Sequence, residues 1–157
     1  MRFLLIDRIK SWHPGRTATA VKNVALSEDF FDDHFPLKPI MPGVLITEGM
    51  AQLAGLLIEE GVRRDTGRRV KAIMSIIRQA KFRKPVHPGD SIEYRATVQS
   101  VNEAGAVAEV EARVGAETVA ESVLVFALQD VPLEQLERRR SEILSFWLEG
   151  CDTHDAP

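Results

Sequence analysis

The stretch HFPLKPIMPGVLITEGMAQLAG, His34–Gly55, decides how this chain folds. Pro36, Pro39 and Pro42 forbid regular structure over its first part. Pro42 suits the first turn of a helix, where a missing N–H costs nothing. From Gly43 to about Arg64 the residues read as helix, and the first sixteen, through Ile58, hold one ionisable side chain, Glu48. Val44, Leu45, Ile46, Met50, Leu53, Leu56, Leu57 and Ile58 spread around every face, and a helix apolar all round is a buried helix. Glu59, Glu60, Arg63 and Arg64 are expected to mark its emergence into water.

Most of the remainder is β in pattern. Asp90–Val101 alternates Ile92, Tyr94, Ala96 and Val98 against Glu93, Arg95, Thr97 and Gln99. The turn at Asn102–Gly105 leads into Ala106–Val114 with the same period of two, and Gly115–Glu117 turns the chain into Thr118–Gln129. These three strands are expected to form a half-buried antiparallel meander. Val70–Val86 reads as a further long strand before the HPGD turn at His87–Asp90. Arg16–Leu26, after the turn pair Pro14–Gly15, reads as another. Glu28–Asp33 reads as a turn of helix or a loop, and Pro132–Glu149 as a terminal amphipathic helix with Leu133, Leu136, Ile143 and Trp147 on one stripe.

One sheet wrapping one apolar helix satisfies this order, an α+β layer arrangement. A single helix cannot cover a five- or six-stranded sheet, so self-association is expected to cover the exposed edge and rim.

The 157 residues, 45% of them hydrophobic, suffice for one cored domain, and the net charge of −3 gives no global signal for nucleic acid or membrane. The single cysteine, Cys151, excludes an intrachain disulfide and fits a reducing compartment. Asp7 and Arg8 interrupt the apolar run Phe3–Ile6, which is too short for a signal sequence. The longest charge-free helical run, Gly49–Ile58, is far below the ~20 residues that span a bilayer. A soluble cytoplasmic protein is expected.

A lone carboxylate on a buried helix shifts its pKa or finds a partner. Burial is expected to raise the pKa of Glu48 toward neutrality, making it a proton donor. His34, on the proline-fixed segment before the helix, titrates in the working range. Gly43 offers an unsatisfied N–H at the positive end of the helix dipole and no side chain to obstruct a carbonyl oxygen. A base, an acid and an oxyanion donor suit proton abstraction beside a thioester carbonyl with loss of a β-hydroxyl. The residues alone leave a second reading open, a structural histidine and a solvent-facing glutamate.

Three segments extend the reading: FLLIDRI near the start with KNV at Lys22–Val24, the quoted core, and KFRKPVHPGD at Lys81–Asp90. From Phe3 to Leu128 the chain resembles the 3-hydroxyacyl-acyl-carrier-protein dehydratases of type II fatty-acid synthesis, the FabZ type. The resemblance implies a hot-dog fold over residues 1–130, an antiparallel sheet wrapped around one long helix. Residues 131–157, a C-terminal helix and polar tail, lie outside it. It further implies a homodimer, often assembled into trimers of dimers, that sets His34 of one subunit beside Glu48 of the other. His34 would take the α-proton, Glu48 would protonate the leaving hydroxyl, and Gly43 would hold the thioester carbonyl. Gln52 would orient Glu48, with Phe35 a further substrate-binding position. No metal or organic cofactor is implied, since the phosphopantetheine arm arrives with the acyl carrier protein.

Two positions depart from the family pattern. Leu37 stands where glycine is usual, which bears on the entrance to the acyl tunnel, and Gly49 replaces a usual alanine. Glutamate at position 48, rather than aspartate, argues against double-bond isomerisation.

Between Arg63 and Lys84 stand nine basic residues and one acid. They read either as solvated exteriors or as a docking surface for an acidic carrier, with Lys81, Arg83 and Lys84 the candidate contacts. Little aromatic interleaving argues against nucleic acid. His13, His87 and His154 have no metal-ligand spacing. A hot-dog thioesterase and a non-catalytic acyl-binding module are the rival readings.

Overall fold

The computed structural model describes residues 3–130 and 134–153. In chain order come β1 (Arg8–His13), β2 (Thr17–Asn23), a 3-10 turn (Asp29–Phe31), α1 (Gly43–Thr66), β3 (Val70–Phe82), β4 (Ser91–Val101), β5 (Gly105–Val114), β6 (Glu117–Asp130), α2 (Glu134–Trp147) and the two-residue β7 (Asp152–Thr153). They build one sheet in the order β3-β6-β5-β4-β2-β1-β7. Every pairing is antiparallel except the short parallel one of β7 with β1. The expected meander is β4-β5-β6, and α1 packs on its inner face.

The period of two explains which face meets the helix. Ile92, Tyr94 and Ala96 of β4, Ala106, Ala108, Val110 and Ala112 of β5, and Leu124 and Phe126 of β6 are buried. Three of the four inward positions on β5 are alanine, and small side chains there let α1 lie close to the sheet. On α1 itself Leu45, Ile46, Met50, Leu53, Ala54, Leu57 and Ile58 are buried. The helix ends at Gly67, whose φ of +71° lets its N–H reach the Arg63 carbonyl oxygen.

One expectation needs correction. Glu59 and Glu60 do not face water: they are 2% and 7% exposed, and α1 stays buried through Val62. Pairing makes this tolerable. The Glu59 Oε1 accepts from Lys71 Nζ at 2.9 Å and from the Ala72 N–H at 3.0 Å. Glu60 accepts a two-pronged Arg63 guanidinium at 3.0 and 2.5 Å.

The strand β1 also escapes the sequence pattern. Its buried residues, Ile9 and Trp12, are three apart, because a bulge between Ile9 and Ser11 breaks the alternation. Of the expected stripe on α2, Ile143 is half-buried and Trp147 buried. Leu133 and the side chain of Leu136 lie outside the described residues, as does His154.

Strand β3 is the sheet's outer edge. It pairs only with β6 among the described residues, and Ile73, Ile76, Ile77 and Phe82 are exposed. A long apolar edge of this kind is a template for another strand.

Candidate active site

The proline-rich segment before α1 is held by hydrogen bonds that its sequence does not advertise. The His34 N–H donates to the Phe30 carbonyl oxygen at 3.0 Å, and the Lys38 N–H to that of Phe35 at 2.8 Å. From the β3–β4 connection, Val86 accepts from the Met41 N–H at 2.8 Å, and His87 Nδ1 donates to the Pro39 carbonyl oxygen at 3.0 Å. The segment KFRKPVHPGD, Lys81–Asp90, thus braces the proline-rich one. His87 is a strut.

The half-buried His34 directs Nδ1 at the Ile40 carbonyl oxygen, 2.6 Å away. A carbonyl only accepts, so Nδ1 carries a proton, and in the neutral ring Nε2 holds the lone pair. Phe35 beside it has φ +61°, a left-handed conformation that costs a non-glycine residue about 1–2 kcal/mol. Its exposed ring lies 4.4 Å from the imidazole, tilted by 48°. Backbone strain adjoining an imidazole with a fixed tautomer is a frequent mark of a working site. Leu37 is fully exposed on the same segment.

At the start of α1, the N–H groups of Leu45 and Ile46 both turn back to the Pro42 carbonyl oxygen. The Gly43 N–H has no acceptor among the described residues. The reason for glycine here is not an open approach, however. A Cβ on Gly43 would lie 2.8 Å from Cε1 of Phe82, so the ring fills the side-chain space and leaves only the N–H direction free.

One turn into the helix, Glu48 is half-buried in the single chain rather than sealed in its core. Its Oε1 accepts from Gln52 Nε2 at 3.0 Å. Gln52 also donates to the Phe3 carbonyl oxygen at 2.9 Å and accepts the Leu5 N–H at 3.0 Å. The amide therefore orients the carboxylate and pins the N-terminal segment across α1. Glu48 and Gln52 line a cavity of about 390 Å³ that His34 does not line. Of the two ionisable groups, this cavity is lined by Glu48 alone.

Three comparisons bear on this arrangement. Residues 1–123 match the model of the FabA-like domain. The 3-hydroxyacyl-[acyl-carrier-protein] dehydratase FabZ of Chlamydia pneumoniae is 43% identical over 129 residues, covering 82% of this chain and 84% of its own. This chain belongs to the FabZ-type dehydratases of the FabA-like family. Its FabZ relative from Listeria welshimeri is 38% identical over 130 residues, 83% of this chain and 88% of its own. Among solved structures, the dehydratase heterocomplex ApeI:P of Xenorhabdus doucetiae superposes with a TM-score of 0.64 at 13% identity, covering 87% of this chain and 90% of that one. The smu.793 protein of Streptococcus mutans, solved with acetyl CoA, superposes at 0.61 and 15% identity over 78% and 88%. At such identities the structures establish the hot-dog fold.

The basic residues of this FabZ-type chain are less free than their sequence run implies. Lys81 and Arg83 both bind Glu121, at 3.2 and 2.7 Å, and Lys84 pairs with Glu117. Arg83 first, then Lys81, holds the Glu121 carboxyl below the usual range. Two acids on β6 thus offset the positive charge at the end of β3 and just beyond it. No group of three or more potential metal ligands occurs among the described residues, and no described helix is long and apolar enough to cross a membrane. Sequence reasoning missed the Phe82–Gly43 contact, the His87 strut and the contribution of α2 to the cavity. The Pro39–His87 and Gly43–Phe82 pairs are more than thirty residues apart, and no local pattern signals them.

Proposed function

We propose that this protein dehydrates 3-hydroxyacyl thioesters, carried on acyl carrier protein, to trans-2-enoyl thioesters in the synthesis of fatty acids or related lipids and polyketides. The observation that carries the reading is His34 with Nδ1 committed to Ile40, leaving Nε2 as a base. Nε2 removes the α-proton, the electron pair becomes the Cα=Cβ bond, and the Cβ–O bond breaks as Glu48 protonates the hydroxyl to water. The free N–H of Gly43 holds the thioester oxygen as negative charge develops there. Gln52 keeps the Glu48 carboxyl aimed, and the exposed Phe35 ring contacts substrate. The substrate's phosphopantetheine arm comes with the carrier, and the protein supplies no metal or organic cofactor of its own.

The site is completed in a homodimer, with His34 of one subunit facing Glu48 of the other. The apolar β3 edge and the exposed Phe35, Leu37, Val44 and Phe82 support such an interface. Lys81, Arg83 and Lys84 contribute to carrier docking through what remains of their charge. The reaction belongs in the cytoplasm.

Enoyl-thioester absorbance with 3-hydroxyacyl-carrier substrates tests the assignment. His34→Ala and Glu48→Gln should each lower turnover by at least ~10²-fold, as general acid–base groups require. Near-wild-type rates in either variant refute it. Release of free thiol without enoyl absorbance would identify a thioesterase instead, and tight acyl binding without turnover a binding module.

A further inference from the structure

The cavity that begins at Glu48 runs along one stripe of α1, past Gln52, Gly55 and Leu56 to Glu59. These positions share a helix face, and eleven residues at 1.5 Å rise make the stripe roughly 16 Å long. Phe3, Leu4, Met74 and Phe126 give it apolar walls. Its far end is polar, closed by the Glu59–Lys71 pair. Ile143 and Trp147 of α2 also line it. Trp147 is 5% exposed, whereas Phe146, next to it on the same helix, is 69% exposed. Helix α2 lies wholly beyond the residues that match the FabA-like domain.

We propose that α2 is the roof of the acyl-binding site: the alkyl part of the substrate lies along α1 beneath Trp147 and Ile143. The continuity of the cavity with Glu48 commits the occupant. A chain whose reacting carbons sit at the carboxyl can extend its tail only along the apolar stripe. Taking roughly 1.3 Å per methylene from C–C bonds near 1.5 Å, the stripe accepts about twelve carbons before an alkyl tail meets the charged pair. Longer tails would have to pass a buried carboxylate, which offers no apolar contact. Medium-length chains are therefore the preferred substrates, and α2 supplies part of that preference.

The proposal rests on the dehydratase reading, and its test separates the two. The quantity to measure is kcat/KM for 3-hydroxydecanoyl relative to 3-hydroxybutanoyl substrate, a ratio that does not depend on the fraction of enzyme folded. Wild-type protein should favour the longer chain. Trp147→Ala should lower the ratio about tenfold, the loss expected from some 50 Å² of apolar surface returned to water. Phe146→Ala, on the outer side of the same helix, should leave the ratio unchanged. An unchanged ratio in Trp147→Ala, or equal falls in both variants, overturns the proposal. If the wild-type protein dehydrates neither substrate, the dehydratase reading fails. Titration with saturated decanoyl- and butanoyl-pantetheine then decides the roof, with the same tenfold change expected in the affinity ratio and an unchanged one refuting it.

Discussion

Gly49, beside the candidate acid, shows how a single residue answers to its neighbours. A Cβ there would lie 2.4 Å from the Tyr94 hydroxyl and 2.5 Å from Cζ, so the glycine exists to seat the ring. Helix propensity would favour alanine by about 1 kcal/mol, but overpacking a core costs about 1–3 kcal/mol. Gly49→Ala should thus destabilise the fold, and Tyr94→Phe should relieve part of the loss in a double-mutant cycle, because the nearest atom is the hydroxyl itself. That hydroxyl is buried without a partner. Burial first, and the charge of Asp7 second, push its pKa well above the ordinary value of about 10. The raised folded value sets the sign: stability is complete below pH ~10 and is lost as pH rises above it, where the unfolded tyrosine ionises first. Tyr94 is the sole tyrosine, so tyrosinate absorbance reads this directly. Denaturation curves of Tyr94→Phe should be flatter than wild type between about pH 10 and 12. A wild-type hydroxyl titrating near 10 in the folded protein would contradict this account.

For the helix α1, the question is why two consecutive glutamates stay buried. They serve different neighbours. Glu60 is met by arginines of its own helix, one and two residues into the exposed end, whereas Glu59 reaches across to the start of β3. Removing Glu60 breaks pairs with two exposed arginines of the same helix and should cost no more than about 1 kcal/mol. Removing Glu59 strips the Ala72 N–H of its acceptor and should cost about 1–3 kcal/mol. Urea denaturation of Glu59→Ala and Glu60→Ala compares them, and equal losses would show that the link between α1 and β3 carries no weight. The burial of Glu59 was not legible in the sequence, because its partners are twelve and thirteen residues away on another element. The buried face of β4, by contrast, was readable at once, since alternation is a local property.

At the scale of the whole molecule, the edge of β3, which pairs only with β6 among the described residues, and a Glu48 cavity that His34 does not line both support the proposed dimer. A site shared between subunits makes a specific prediction. His34→Ala and Glu48→Gln proteins, each inactive alone, should recover activity when denatured together and refolded. A mixed dimer keeps one intact His34–Glu48 pair, and random pairing makes half the dimers mixed, so about a quarter of wild-type turnover should return. No recovery would place both groups in one subunit's site. Charging the edge with Ile76→Lys should shift the sedimentation profile toward monomer, and it should abolish turnover in proportion.

The sequence by itself determined the buried helix and the half-buried meander and singled out the candidate proton-transfer residues, because each is written in a local period or in a lone charge on an apolar face. Tertiary structure alone decided the rest. It closed the His34 tautomer with Ile40, filled the space at Gly43 with Phe82, cut the seat for Tyr94 at Gly49, and brought α2 over the Glu48 cavity. All but the first of these join elements distant in the chain. Even the first needed the path of the proline-rich segment, and no periodicity encodes which atoms a folded surface finally brings within a few ångströms.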